Sequence, residues 1–335
     1  MSRLRARDRP ARAAARQDAG VTLIELLVAL AIGSLLVVAG IQVFAHGRTA
    51  YRAAESIAAL QESARYALTA LAFDIEHAGF WGLTNDASLI AGRRSLPAGP
   101  VIAVGNDCGE DWTIDLDLTI SGTNNRYGWV CRPYQNRAAA ESDTLVVRRA
   151  DVAPAVSEES GRIYVRTTRF GNGLVYVAPA PVAPPDAAFV TIHELSVRGY
   201  YVSETSSLST PGNAVPSLRV KTLTGGSVGP RIVDEEIYPG IEDMQIELGI
   251  DRDAPGTAGF GEIDAYVGTE SPEIPGARVL AVRIWLLVRG LQRENGFTAS
   301  PPQTYADRQI PARDDRYRRA LVSTTVLARN APPRI

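Results

Sequence analysis

Hydrophobic positions along the chain follow three patterns in turn. From Val21 to Ala45 the sequence is apolar almost without interruption, and Glu25 is its only charge. Wound as a helix, this run would span about 37 Å, against a hydrocarbon core of about 30 Å, so it is long enough to cross a membrane. The period then changes. Leu60, Ala64, Ala67, Leu68, Leu71 and Ile75 recur at helical spacing with polar residues between them, which is the stripe of an amphipathic helix. No proline falls between Pro10 and Pro97, and Gly79 supplies a stop. The spacing predicts one helix from Val21 to about Ala78, with Gly33, Gly40 and Gly47 as places where it can bend. Its outer half needs a platform on which to bury the stripe.

The third pattern is that of strands. Asp143–Arg149, Arg162–Arg166, Phe189–Leu195, Val197–Val202, Ser217–Thr222, Ile241–Leu248, Val279–Val288 and Ala320–Leu327 are rich in β-branched and aromatic residues. Val279–Val288 is the longest apolar run among them and reads as a central strand against the helix. Turn-rich stretches separate the strands, notably Pro179 to Pro185 and Gly225-Gly226. A long helix followed by many strands predicts an α+β fold with an antiparallel sheet. The expected organisation is a basic head at 1–20, a membrane-spanning helix at 21–45, its amphipathic continuation at 46–80, and a β-rich globular domain at 81–335.

Composition narrows the setting. The 335 residues are 45% hydrophobic and 21% charged, an ordinary globular balance, and the net charge of −2 gives no reason to expect nucleic acid as a partner. Of the 35 basic residues, 34 are arginine, but they are scattered over strands and loops, as solvated faces and ion pairs would be. The charge is uneven along the chain. Six arginines against two aspartates give residues 1–20 a charge of +4, which leaves −6 for the remainder. A basic head before an apolar run stays in the cytoplasm, so the rest of the chain is expected across the membrane, in the periplasm. There Cys108 and Cys131 would form a disulfide worth roughly 3 kcal/mol by loop entropy; two unpaired thiols are the alternative.

Three readings of the N-terminal segment compete. A secretory signal peptide would be cut after the run, near Val43-Phe44-Ala45; a plain anchor would be kept whole; a prepilin leader would be cut before the run. Glu25 separates them. A carboxylate in a membrane helix costs about 2.5–3.5 kcal/mol at mid-bilayer, and only the third reading gives it a task. Gly20, Val21-Thr22-Leu23-Ile24-Glu25 and the following Leu-Leu-Val-Ala-Leu resemble the cleavage and methylation motif of type IV prepilins and type II secretion pseudopilins. The resemblance implies cleavage after Gly20 by a prepilin peptidase, N-methylation of Val21, and pairing of Glu25 with the Val21 amine of a neighbouring subunit. The family usually has Phe at the first mature position, where this chain has Val21.

A second resemblance covers most of the chain in order. Phe73-Asp74-Ile75-Glu76-His77-Ala78-Gly79-Phe80-Trp81-Gly82, Ser142–Arg149, Gly240–Gln245, Leu248–Asp251, Val282–Arg289, Tyr317–Arg319 and Ser323–Asn330 are similar to segments of PilW-type minor pilins. It implies a pilin-like fold and a low-copy subunit that joins other minor pilins and the major pilin. Such a subunit primes assembly on the inner-membrane pilus platform and passes from the inner membrane into the pilus fibre or its tip. The minor pseudopilin of a type II secretion system shares the anchor and a similar fold; a pilus-tip adhesive or binding module is the third reading.

The remaining chemistry is sparse. Asp251, Asp253, Gly256 and Glu262 fall at the first, third, sixth and twelfth positions of a calcium loop, but Pro255 takes the fifth and no helix flanks the segment. A polar hairpin loop is the favoured reading; if calcium binds, Asp251, Asp253 and Glu262 are the expected ligands. No other cofactor is expected. His46, His77 and His193 lack metal-ligand spacing, and His193 reads as a satisfied sheet residue. No nucleophile elbow or phosphate loop appears, so nothing supports an enzyme. Phe80-Trp81, Trp112 and Tyr127-Gly128-Trp129 read as core around the cysteines rather than as a contact surface.

Overall fold

The computed structural model describes residues 20–99, 101–169, 172–180 and 189–331. The basic head, apart from Gly20, and most of the stretch from Pro179 to Pro185 lie outside the described residues. The chain divides into a unit ending at Ala54 and a second running from Glu55.

Helix α1, Leu23–His77, passes through Gly33, Gly40 and Gly47 without a break. Thr22 caps its start: the Glu25 amide donates to Thr22 Oγ1 at 3.3 Å, which satisfies one of the amides the first turn leaves unpaired. Gly79 ends it at φ 75°, where the chain turns and the Gly79 amide donates to the Arg148 carbonyl at 3.0 Å. A Cβ at Gly79 would lie 2.8 Å from the Asn330 carbonyl oxygen, so glycine is required there by close approach as well as by φ.

The second unit is built on two sheets. The strands of the first are β1 (Ile90–Ala91), β2 (Ile120–Thr123), β3 (Thr144–Ala150), β4 (Ile163–Thr168), β5 (Gly173–Val177), β6 (Val190–Ser203), β7 (Ser217–Thr224) and β8 (Arg231–Pro239). The path β1-β5-β4-β6-β3-β2 is completed by β7 and β8, which extend from β6. All these pairings are antiparallel except that of two-residue β1 with β5. The two runs expected as separate strands on either side of Ser196 are one strand, β6. Its length lets its first half pair with β4 and its second half with β3 and β7. The second sheet contains β9 (Ile241–Asp251), β10 (Ala265–Gly268), β11 (Arg278–Arg289) and β14 (Arg319–Leu327), in the order β10-β9-β11-β14. A small hairpin joins β12 (Gln303–Tyr305) to β13 (Arg308–Ile310). The central position expected for Val279–Val288 is borne out, since β11 lies between β9 and β14.

The amphipathic stripe finds its platform here. Leu60, Ala64, Ala67, Leu71 and Ile75 are buried in one cluster with Leu145, Val147, Tyr200 and Val202 of the first sheet and Met244, Ile246, Ile284 and Leu286 of the second. The first sheet is buried on its other face too, where Val146, Ile163, Val165, Leu195 and Val197 pack with Trp81, Trp112, Leu116 and both cysteines. Strand β3 is therefore buried at every position. Its residues alternate between the cluster under α1 and the cluster under the cysteine loop, as the pleat dictates. Leu71 is wholly buried in the first cluster. Leu71→Ala should cost about 2–5 kcal/mol, read as a lower denaturation midpoint for the detergent-solubilised chain.

Candidate functional site

No cleft with converging reactive groups organises the described residues; the features that matter are an uncovered anchor and the contacts that hold the rest of the helix to the sheets. In the first unit the helix surface is bare. Val21, Leu23, Ile24, Leu26 and Leu27 are all exposed, and the most apolar stretch of α1 is long enough to span a membrane with none of it buried. Glu25 sits in the first turn of this helix and is exposed with it. Gly20 and Val21 precede the helix and are exposed as well.

In the second unit α1 is fixed by a buried charge. Asp74 is 1% exposed, on the apolar stripe one turn beyond Leu71. The Arg149 guanidinium of β3 donates to its Oδ1 through Nε and Nη2, both at 3.0 Å. Arg198 Nη1 donates to Oδ2 at 3.2 Å, and the Tyr200 hydroxyl donates to the same oxygen. Burial, reinforced by the Asp74 charge, pushes the Tyr200 phenol well above its ordinary range, so it remains a donor. Arg149 also lies over the Phe73 ring at 5.2 Å. The end of β14 ties back to the same helix end. The Arg329 amide donates to the Glu76 carbonyl at 3.2 Å, and its guanidinium pairs with the Glu76 carboxylate at 3.1 Å.

The neighbouring Arg148 points to the opposite face and does the same for the cysteine loop. Its Nε donates to the Trp112 carbonyl at 2.9 Å, and its Nη1 donates to the Leu118 carbonyl at 2.7 Å and to Ser121 Oγ at 3.1 Å. Burial pushes its pKa down to about 10, which leaves it charged at neutral pH. Cys108 and Cys131 form a disulfide within this loop. Trp112, Trp129, Tyr127 and Tyr201 meet edge to face beside it, with ring centroids 5.0–6.1 Å apart. Trp81 and Trp112 are buried and Trp129 is half-buried, so the aromatic residues are core, as the sequence led us to expect. His193 is buried in the sheet with its Nδ1 bonded to the Asp151 carbonyl at 2.8 Å.

The calcium-like segment is a hairpin loop between β9 and β10, with Ile250 opposite Ala265. Carboxylate oxygens of Asp251 and Asp253 lie within 4.8 Å of one another, but Asp264, not Glu262, completes the group. The carboxylates of Asp251 and Asp264 have partners within the chain. Asp251 accepts from the Asp253 and Gly261 amides, each at 2.9 Å, and pairs with Arg278 at 3.3 Å. The Arg252 amide donates to Asp264 Oδ2 at 2.7 Å.

Another buried carboxyl, Asp143, immediately precedes β3. It accepts from the Asn125 amide at 2.7 Å and the Ile246 amide at 2.8 Å, and so joins the two sheets. Burial outweighs these bonds and pushes its pKa up to about 7.

Sequence reasoning found the helix stripe and the disulfide but not the roles of Asp74, Arg148 and Arg149. A signal was present: Asp74 continues the four-and-three spacing of Leu60, Ala64, Ala67 and Leu71, so a charge stood on the buried stripe.

A bare apolar N-terminal helix carried by a domain of antiparallel sheets defines a membrane-anchored protein with a pilin-like α+β fold. The family model of the prokaryotic N-terminal methylation motif matches residues 15–41, and that of type IV pilus-assembly protein W matches residues 199–330, from the second half of β6 through β14. The two matches bear out the resemblance to PilW-type pilins and support a pilin related to the type IV pilus. No curated protein and no solved structure gives a match.

Asp74→Ala should destabilise the chain by about 3–5 kcal/mol, because it removes the buried partner of Arg149 and leaves it only the exposed Asp151 carboxylate at 3.4 Å; chemical denaturation measures it. Asp143 gives a pH signature. Its folded pKa lies above the unfolded value of 3.8, so the stability it contributes is complete below about pH 4 and is lost as pH rises to about 7. Denaturation across that interval should show the decline, and Asp143→Asn should remove it. At the hairpin, millimolar calcium or a chelator should leave the melting temperature of the chain unchanged.

Proposed function

We propose that the chain is a minor pilin, cut after Gly20 by a prepilin peptidase and N-methylated on Val21, which helps to prime pilus assembly as part of a minor pilin complex. One observation carries the reading: Glu25, a lone exposed carboxylate in the first turn of a bare apolar helix that begins at Leu23, three residues after Gly20. In lipid that carboxylate is costly. Beside the Val21 amine of a neighbouring subunit it has a fixed partner, and a buried pair of this kind sets register more than it adds stability. The arginines before Gly20 hold the head in the cytoplasm and send the second unit to the periplasm. When the subunit enters a fibre, the apolar helix exchanges lipid for the helices of other pilins. Its partners are other minor pilins, the major pilin and the inner-membrane assembly platform.

N-terminal sequencing with intact mass, on chain purified from the envelope of its own host, tests the reading. N-methylated Val21 is expected. A start at His46 means an ordinary signal peptide and a start at Met1 a plain anchor, and either removes the basis for assembly. Glu25→Ala should leave membrane insertion intact and abolish incorporation into pili; normal piliation in that variant refutes the pairing.

A further inference from the structure

Strand β14 is an edge that has been left open. Among the described residues it pairs with β11 alone. The Ala328 amide donates to the Leu280 carbonyl at 2.9 Å across that pairing. Bonded pairs alternate in an antiparallel ladder, so the amides of Leu321, Ser323, Thr325 and Leu327 face away from β11.

Every other edge of the two sheets is blunted. Strand β1 has two residues, and β2 and β10 have four each. Strand β8 carries Asp234, Glu235 and Glu236, ends at Pro239 and has a register shift against β7. By contrast β14 has nine residues, no charge from Ala320 to Leu327, no proline and an unshifted register with β11. A long, uncharged, regular edge is a template for another strand, and soluble domains protect such edges unless they are used.

The edge borders a groove of about 420 Å³ between α1 and β14, lined by Ala64, Leu68, Ala72, Val322 and Thr324, with Arg65 beside them. An added strand would lay alternate side chains into this groove, and the small residues leave room for them. Arg65 is exposed and makes no ion pair among the described residues, and no carboxylate lines the groove. We propose that β14 is the docking edge for an extended segment of a different subunit of the same fibre. That segment turns small or β-branched side chains into the groove and sets a carboxylate against Arg65. A second copy of this chain fits less well, because pairing two β14 edges brings together two grooves that each hold a cation and no anion. The proposal rests on the pilin reading above.

The test is photo-crosslinking in the envelope of the host, with the full chain carrying a benzophenone amino acid in place of Ser323. The same substitution at Glu235 on the charged edge is the control, and the N-terminus is determined on the same sample. A crosslink from position 323 to another fibre subunit, roughly tenfold above the control, is expected. Thr325→Pro removes one outward amide and leaves the bonds to β11 in place, and Arg65→Glu reverses the charge of the groove without touching β14. Each should reduce the crosslink, and Arg65→Glu keeps the test decisive if the proline variant does not fold. A crosslink only to a second copy or to lipid, a yield equal to the control, or a yield unchanged in both variants overturns the proposal. If N-methylated Val21 is found while the crosslink is absent, the docking edge fails and the pilin reading stands. If Val21 is not the N-terminus, both fail.

Discussion

Two adjacent arginines on one buried strand hold the second unit together. In β3 the pleat sends Arg149 toward α1 and Arg148 toward the cysteine loop. Arg149 finds the carboxylate of Asp74, while Arg148 finds two carbonyls and a hydroxyl. Neither charge could be buried without such partners, since a charge taken from water costs several kcal/mol unless it is paired and hydrogen-bonded. The apolar contacts supply most of the attraction between helix and sheets, but they are tolerant of sliding. The Asp74 pairing, with Arg198 and Tyr200 on the same carboxylate, is not. It fixes which turn of the helix meets which residue of the sheet.

That division of labour follows the helix. Its outer half is docked, with a buried stripe and a buried charge. Its first part, as far as Ala45, is bare and carries Glu25 as its only charge. A surface of this kind cannot stay in water, because burying apolar area is the dominant favourable term available to it. Lipid satisfies the side chains and leaves the carboxylate unsatisfied. In the assembly proposed above, a neighbouring subunit with a free amine would satisfy both, and one segment would serve successively as anchor and as assembly element. The edge at β14 has the same logic in backbone terms: hydrogen-bonding groups without partners within the described chain, flanked by a groove that side chains can fill.

Where the sequence could be read, it was read through periodicity. The four-and-three spacing from Leu60 to Ile75 gave the docked face of α1, and runs of β-branched residues gave the longer strands, because these patterns follow from helical and pleated geometry alone. The short strands β1, β2, β5, β10, β12 and β13 escaped notice, since two to five residues hold too little pattern to register. Charged β8 escaped because its acids disguise an edge strand as a loop. In the calcium-like segment, spacing suggested Glu262, whereas the hairpin brings Asp264 to the cluster. Spacing in a calcium loop predicts ligands only when the loop takes that shape, and here two strands set a different one.

The sequence by itself determined that the chain has one apolar span preceded by arginines, one amphipathic continuation, a β-rich domain and two cysteines. Each of these depends on local pattern or on composition. Only the tertiary structure decided which charges are buried, because burial is a property of what packs against a residue and not of the residue. Asp74, Arg148 and Arg149 look like surface residues in a list, yet all three are buried. It was likewise the order of strands, set by contacts far apart in sequence, that left β14 at an edge with its amides open.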